Sequence, residues 1–135
     1  MNFLKLFVPA FFIPMILDFV WLALIAKPFY IDKLSRIGRI EGGSLKPILW
    51  PVVFVYLLIA LGIVHFAIPS AEASVGGTFL AGAILGLVIY GIYDFTNYST
   101  LKDYPLALAF ADIAWGTFLC GFTTMCTFLI NRAIS

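Results

Sequence analysis

Charge is scarce in this sequence. Only 11% of its 135 residues are Asp, Glu, Lys or Arg, and histidine occurs once. A soluble domain carries about 25% charged and about 45–50% apolar residues. Here 63% are hydrophobic and the mean hydropathy is +1.08. So few polar groups cannot coat a globule in water, and the surrounding solvent is expected to be lipid. A net charge of +1 makes no electrostatic case for nucleic acid. The two cysteines, Cys120 and Cys126, lie six residues apart in one apolar run. On a helix they point to different sides, so they neither pair nor offer zinc-ligand spacing, and they are read as core or lipid-facing. No histidine-rich metal box and no lipid-phosphotransferase motif is present.

What the sequence has in abundance is long apolar runs. Four stand out, at about 4–26, 48–68, 76–98 and 105–130, each long enough for the roughly 20 residues a spanning helix needs. Proline punctuates them. Pro28 follows the first run, Pro47 and Pro51 open the second, Pro69 closes it and Pro105 opens the fourth. Proline is tolerated in a first helical turn and stops a helix elsewhere. Pro9 and Pro14 fall inside the first run, where a kink is expected. That run exceeds the roughly 7–15 residues of a leader's apolar region and contains Asp18, so it is read as a retained span. The fold class is therefore all-α: one polytopic membrane domain over 1–135, built as a four-transmembrane-helix bundle.

The connections carry the basic residues. Lys27, Lys33, Arg36, Arg39 and Lys46 lie between runs 1 and 2, and Lys102 between runs 3 and 4; the other side has only Lys5 and Arg132. Six against two places both connections in the cytoplasm and both termini outside. Ile31, Leu34, Ile37 and Ile40 recur every third residue beside Lys33, Arg36 and Arg39. This pattern predicts a short interfacial amphipathic helix whose three basic groups meet lipid headgroups. Gly82 and Gly86, then Ala107, Ala111, Gly116 and Gly121, mark close helix contacts, most simply between spans 3 and 4, with a homodimer through such a face as the other use. His65 reads as an interfacial residue near the outer end of span 2, and Trp50 as a belt residue.

Three aspartates fall inside the apolar runs. Asp18 lies about 12 Å, and Asp112 about 10 Å, from the cytoplasmic ends of their spans at 1.5 Å per residue; Asp94 is near the same face. An ionised aspartate at mid-bilayer costs about 2.5–3.5 kcal/mol even on the lenient scale, so all three should face the interior and be neutralised by a proton, a snorkelling lysine or a bound cation. Asp18 and Asp112 each head a D-x-x-W, with Trp21 and Trp115 one turn on. Tyr90, Tyr93, Asn97 and Tyr98 flank Asp94, with Thr96, Thr100 and Lys102 nearby and Tyr56 available from span 2. The expected site is an aromatic-rimmed pocket that opens to the cytoplasm, with Asp18, Trp21, Tyr90, Tyr93, Asp94, Asn97, Lys102, Asp112 and Trp115 as its binding residues. If a metal binds, Asp18, Asp94 and Asp112 are its ligands.

Three segments, "LDFVWLALIAKPFY", "YDFTNYSTLKDYP" and "DIAWG", resemble in order and spacing a bacterial family of small four-span membrane proteins catalogued as domain of unknown function 2177. Phe95, Tyr98 and Ser99 stand where members more often carry other residues. Carried over by position, the motif residues are Asp18, Trp21, Lys27, Tyr30, Tyr93, Asp94, Thr96, Asn97, Thr100, Lys102, Asp112, Trp115 and Gly116. The resemblance implies a bacterial inner membrane but no activity and no cofactor. The residues themselves point first to binding or transport of a cation or small solute. The alternatives are an accessory or sensor subunit whose polar cluster fixes packing, or an enzyme acting on lipid headgroups with a divalent cation.

Overall fold

A computed structural model describes residues 2–135. Four helices are long and apolar enough to cross a bilayer: α1 (Phe3–Ile25), α3 (Leu49–Ser70), α4 (Val75–Thr100) and α5 (Leu106–Ala133). The Asn2 side chain accepts the Leu4 N–H at 2.9 Å and starts α1; Ser74 does the same for Gly77 and starts α4. Each satisfies an N–H that has no partner within its helix. Pro105 stands just ahead of α5, where its missing N–H costs nothing. The ends agree with the sequence pattern to within a few residues.

Two of the spans contain a wider π turn. The last turn of α1, Trp21–Ile25, and the stretch Ile63–Ala67 of α3 are wound this way. Such a turn adds one residue to the helix wall and re-aims the side chains that follow. In α1 it begins at Trp21, three residues after Asp18.

The connection between α1 and α3 holds a short helix, α2 (Lys27–Lys33), then a two-residue hairpin of β1 (Ile40–Glu41) and β2 (Ser44–Leu45). The predicted amphipathic helix is therefore present but shorter than its three-residue repeat. Gly42 and Gly43 have φ of +57° and +74°, the conformation a tight hairpin turn requires and glycine adopts without strain. That turn draws Ile40 into a strand opposite Leu45.

Packing divides the bundle into two ends. Leu6 and Ala10 of α1, Ile59, Ala60 and Ile63 of α3 and Cys120 of α5 form an apolar core toward the termini. Tyr30, Tyr104, Leu108 and Ala109 form a second cluster at the connection end, with Trp21 and Leu22 against it. Phe12, Phe19, Leu58, Leu80 and Phe110 lie exposed around the outside, as a lipid-facing wall should. α4 and α5 make the most extensive contact, and glycine is the reason. A Cβ on Gly86 would collide with the Gly116 carbonyl, one on Gly82 with Thr124 and the Cys120 carbonyl, and one on Gly116 with the Tyr90 ring. The small-residue faces thus serve contacts within the chain. α3, by contrast, meets α4 chiefly through Ile63–Ser70, so the two separate toward the connection end.

Gly82→Ala and Gly86→Ala should each destabilise the protein by about 1–3 kcal/mol, since a backbone carbonyl on the facing helix cannot yield to the added methyl. Gly91→Ala, with open space around its Cβ, should be neutral or slightly stabilising. Thermal unfolding in detergent compares the three.

Candidate functional site

The three intramembrane aspartates all turn inward, and each finds donors on a different element. Asp18 is 8% exposed and Asp94 fully buried. Asp18 Oδ2 accepts the Tyr56 hydroxyl of α3 at 2.7 Å, and its Oδ1 accepts the Trp115 indole N–H of α5 at 2.7 Å. Three helices meet on this one carboxyl group. Asp112 Oδ1 accepts the Tyr30 hydroxyl of α2 at 2.9 Å, and the same hydroxyl oxygen accepts the Trp21 indole N–H at 3.2 Å. Tyr104, from the short α4–α5 connection, donates to Asp94 Oδ1.

Asp94 and Asp112 are close neighbours, and two ionised carboxylates side by side away from water would repel. The second oxygen of Asp94, Oδ2, is buried and has no hydrogen-bond donor. Among the described residues neither aspartate forms an ion pair with a basic residue.

The indole rings join the two halves of the network. Trp21 and Trp115 stack with centroids 4.5 Å apart and planes 5° from parallel. The two D-x-x-W segments run antiparallel on α1 and α5, and their tryptophans cross over. Trp115 serves the aspartate of the other helix directly; Trp21 reaches the Asp112 side through the Tyr30 hydroxyl. The D-x-x-W spacing puts each Trp one turn from its own Asp, yet the indole N–H groups serve the other helix. The π turn beginning at Trp21 is the local device that re-aims that side chain.

Asp18 and Asp112 line a common cavity of about 660 Å³ between the diverging parts of α3 and α4. Val55, Leu58 and Ile59 form one wall, Ile89, Tyr90 and Tyr93 the other, with Tyr30 and Tyr104 at the connection end. No Lys, Arg or His is among its lining residues. Val55, Leu58 and Tyr93 are also exposed, so the cavity opens sideways. The sequence predicts a pocket opening to the cytoplasm; the cavity instead opens sideways between α3 and α4, and Asp94 is not among its lining residues.

Not every expected residue joins it. Lys102 lies in the turn after α4, is exposed, does not line the cavity and, among the described residues, forms no ion pair. Asn97 is half-buried near Tyr93 and Tyr104 and is not among the residues lining the cavity. Thr96 and Thr100 are exposed, and the Thr100 hydroxyl bonds back to the Thr96 carbonyl at 2.8 Å. Trp50 is 70% exposed against Phe54, a lipid-facing position. His65 is exposed beside Phe3, away from the site. Among the described residues no three Asp, Glu, His or Cys side chains gather as metal ligands: Asp18 stands apart from the Asp94–Asp112 pair, so the three aspartates do not form a single ligand set.

A family model described as a predicted membrane protein family of unknown function (DUF2177) matches residues 3–129. The chain belongs to this family. The match takes in every residue of the polar network. No curated protein and no solved structure matches the chain.

In this DUF2177 protein two network residues escaped sequence reasoning. Tyr104 looks like part of an ordinary turn, and Tyr30 entered only through the family motif. Their one local signal is an aromatic hydroxyl within a few residues of a span end that carries a buried acid. Burial, and the neighbouring Asp112, hold the Tyr30 hydroxyl above its ordinary pKa of 10.0; burial and the hydrogen bond to Asp94 do the same for Tyr104. Both therefore remain donors in the folded protein.

The unfolded chain releases these protons near pH 10 while the folded protein retains them. The stability they contribute is complete below pH 10 and falls as the pH rises above it. Spectrophotometric titration at pH 11 should leave Tyr30 and Tyr104 protonated in the folded state, with Tyr30→Phe and Tyr104→Phe removing no ionising group. Tyr104→Phe should also lower stability by about 1–3 kcal/mol, because Asp94 loses a donor in a buried place; Tyr98→Phe, at an exposed ring, should not. Loss of both phenolic protons by pH 11 without unfolding would contradict the network.

Proposed function

We propose that this protein binds, and in the membrane carries, a small cation or a solute presenting an ammonium group, in the cavity bounded by Asp18 and Asp112. The observation behind this reading is the composition of that cavity: two carboxyl-bearing side chains, several aromatic rings and no basic residue. A cation entering it meets the faces of Tyr90, Tyr93 and Trp115, which attract positive charge, and then the carboxyl groups. In this reading the neighbouring carboxyl groups of Asp112 and Asp94, which repel when both are ionised away from water, hold one proton between them, and it is released as the cation binds. Binding and proton release are thus the same event. The reading includes an orientation. With six of eight Lys and Arg residues on the connection side, the end of the cavity at Tyr30 and Tyr104 lies toward the cytoplasm while its opening is lateral, both termini lie outside, and the protein resides in a bacterial inner membrane with lipid as its surroundings.

A second reading has its own observation. Both oxygens of Asp18 already hold internal donors, as they would in a fastening whose only task is to fix packing in an accessory or sensor subunit.

Tetraphenylphosphonium, a lipophilic cation, separates the two. Wild-type protein in phosphatidylcholine nanodiscs should bind it with a change in tryptophan emission and release about one proton per cation in weak buffer. Asp112→Asn should lower its affinity about tenfold or more and abolish proton release, while Lys102→Ala leaves both unchanged. If wild type shows no binding, or if folded Asp112→Asn binds equally well, the carrier reading falls. A lowered melting temperature in Asp18→Asn without any bound cation in wild type would then favour the fastening.

A further inference from the structure

A second cavity, about 730 Å³, lies on the other side of the Asp18–Tyr56 bond, between α1 and α3. Phe19 and Ala23 form one wall and Pro51 and Val52 the other; Lys27 and Arg39 stand at its mouth. These two cations are treated differently from their neighbours. Lys33 pairs with Asp32 at 3.7 Å and lies over the Phe29 ring, and Arg36 pairs with Asp103 at 3.8 Å. Among the described residues neither Lys27 nor Arg39 has a carboxylate within the 4.0 Å of an ion pair. Arg39 leads into the glycine hairpin, which is closed beneath it by the Lys46 N–H on the Arg39 carbonyl at 2.8 Å. Lys27 follows the π turn at the end of α1. Two separate elements therefore bring unneutralised positive charges to the opening of an apolar cleft.

We infer that this cleft is a site for an anionic phospholipid of the leaflet on the connection side, its phosphate at Lys27 and Arg39 and an acyl chain between α1 and α3. Charge complementarity selects the headgroup: two like charges at one opening are stabilised by a phosphate between them. The apolar walls select a lipid over a free anion, since Phe19, Leu22, Ala23 and Val52 line the cleft and Phe19 is exposed at its rim. The sequence pattern assigns headgroup contact to Lys33, Arg36 and Arg39; the structure moves the focus to Lys27 and Arg39, because Lys33 and Arg36 already have partners. The site does not depend on what occupies the Asp112 cavity.

The test uses the full chain purified in detergent with equal amounts of phosphatidylglycerol and phosphatidylcholine, and native mass spectrometry as readout. Wild type should retain phosphatidylglycerol preferentially. Lys27→Ala with Arg39→Ala should reduce that retention about tenfold or more, whereas Lys33→Ala with Arg36→Ala should leave it. Ala23→Trp, which fills the cleft and leaves every charge in place, should reduce it as well. Glycerol 3-phosphate in excess should not displace the lipid. The inference is overturned by any of four results: no preference between the two lipids, an equal loss in the Lys33/Arg36 pair, unchanged retention in Ala23→Trp, or displacement by glycerol 3-phosphate, which would mark a free-phosphate site.

Discussion

A carboxylate in hydrocarbon is costly, and this bundle is organised around that cost. Three aspartates stand in spans that otherwise offer almost nothing polar, and hydrocarbon supplies no water to solvate them. Each must recruit donors from other parts of the chain. The donors it recruits are not cations but phenols and indoles, whose apolar rings suit the bilayer while one polar atom serves the acid. This choice fixes the bundle. Tyr56 ties α3 to α1, Trp115 ties α5 to α1, Tyr30 ties α2 to α5, and Tyr104 ties the short α4–α5 connection to α4. Apolar packing alone distinguishes poorly between neighbours in lipid, where a helix gains little by exchanging lipid tails for side chains. The carboxyl groups supply that discrimination, and α4 and α5 add contact through glycine.

The crossing of the two D-x-x-W segments follows from the same constraint. On antiparallel helices the order Asp then Trp runs in opposite directions, so the tryptophan of each helix is carried toward the aspartate of the other. Stacking of Trp21 on Trp115 is the meeting point of that arrangement. The symmetry is incomplete. Trp115 reaches Asp18 directly, whereas Tyr30 intervenes between Trp21 and Asp112. The intervention brings α2 into the site, which explains why a seven-residue interfacial helix is held against the bundle by a buried tyrosine and not only by its basic face.

The spans were legible because hydrophobic run length and proline position act locally, and lipid imposes them without reference to the rest of the fold. The inward direction of Asp18, Asp94 and Asp112 was legible for the same reason: outward was too costly. Partner identity was not. Nothing in D-x-x-W says that its tryptophan will serve the other helix, because that depends on antiparallel register and on a π turn, neither of which has a sequence period. Tyr104 was hidden by its turn setting, and Lys102 was overvalued because a lysine near an acid in sequence need not point toward it. The length of the interfacial helix was overread because a three-residue spacing of apolar side chains continues past Lys33, where the helix ends and the chain turns over Leu34–Gly38.

Asp18 has a position unlike the other two. It lines both cavities, together with Leu22 and Leu45, so a single layer of side chains separates a compartment bounded by acids from one whose mouth is basic. The Tyr56 hydroxyl closes that layer on one oxygen and the Trp115 indole on the other. Any molecule that competes for either donor weakens the wall as well as the helix contact. Asp94 and Asp112 take no part in that contact, since their donors come from α2 and the α4–α5 connection. Of the three aspartates, Asp18 alone fastens α1 to α3 through its hydrogen bonds. Loss of its carboxyl group removes the tie between those two spans, whereas a change at Asp112 leaves that tie in place.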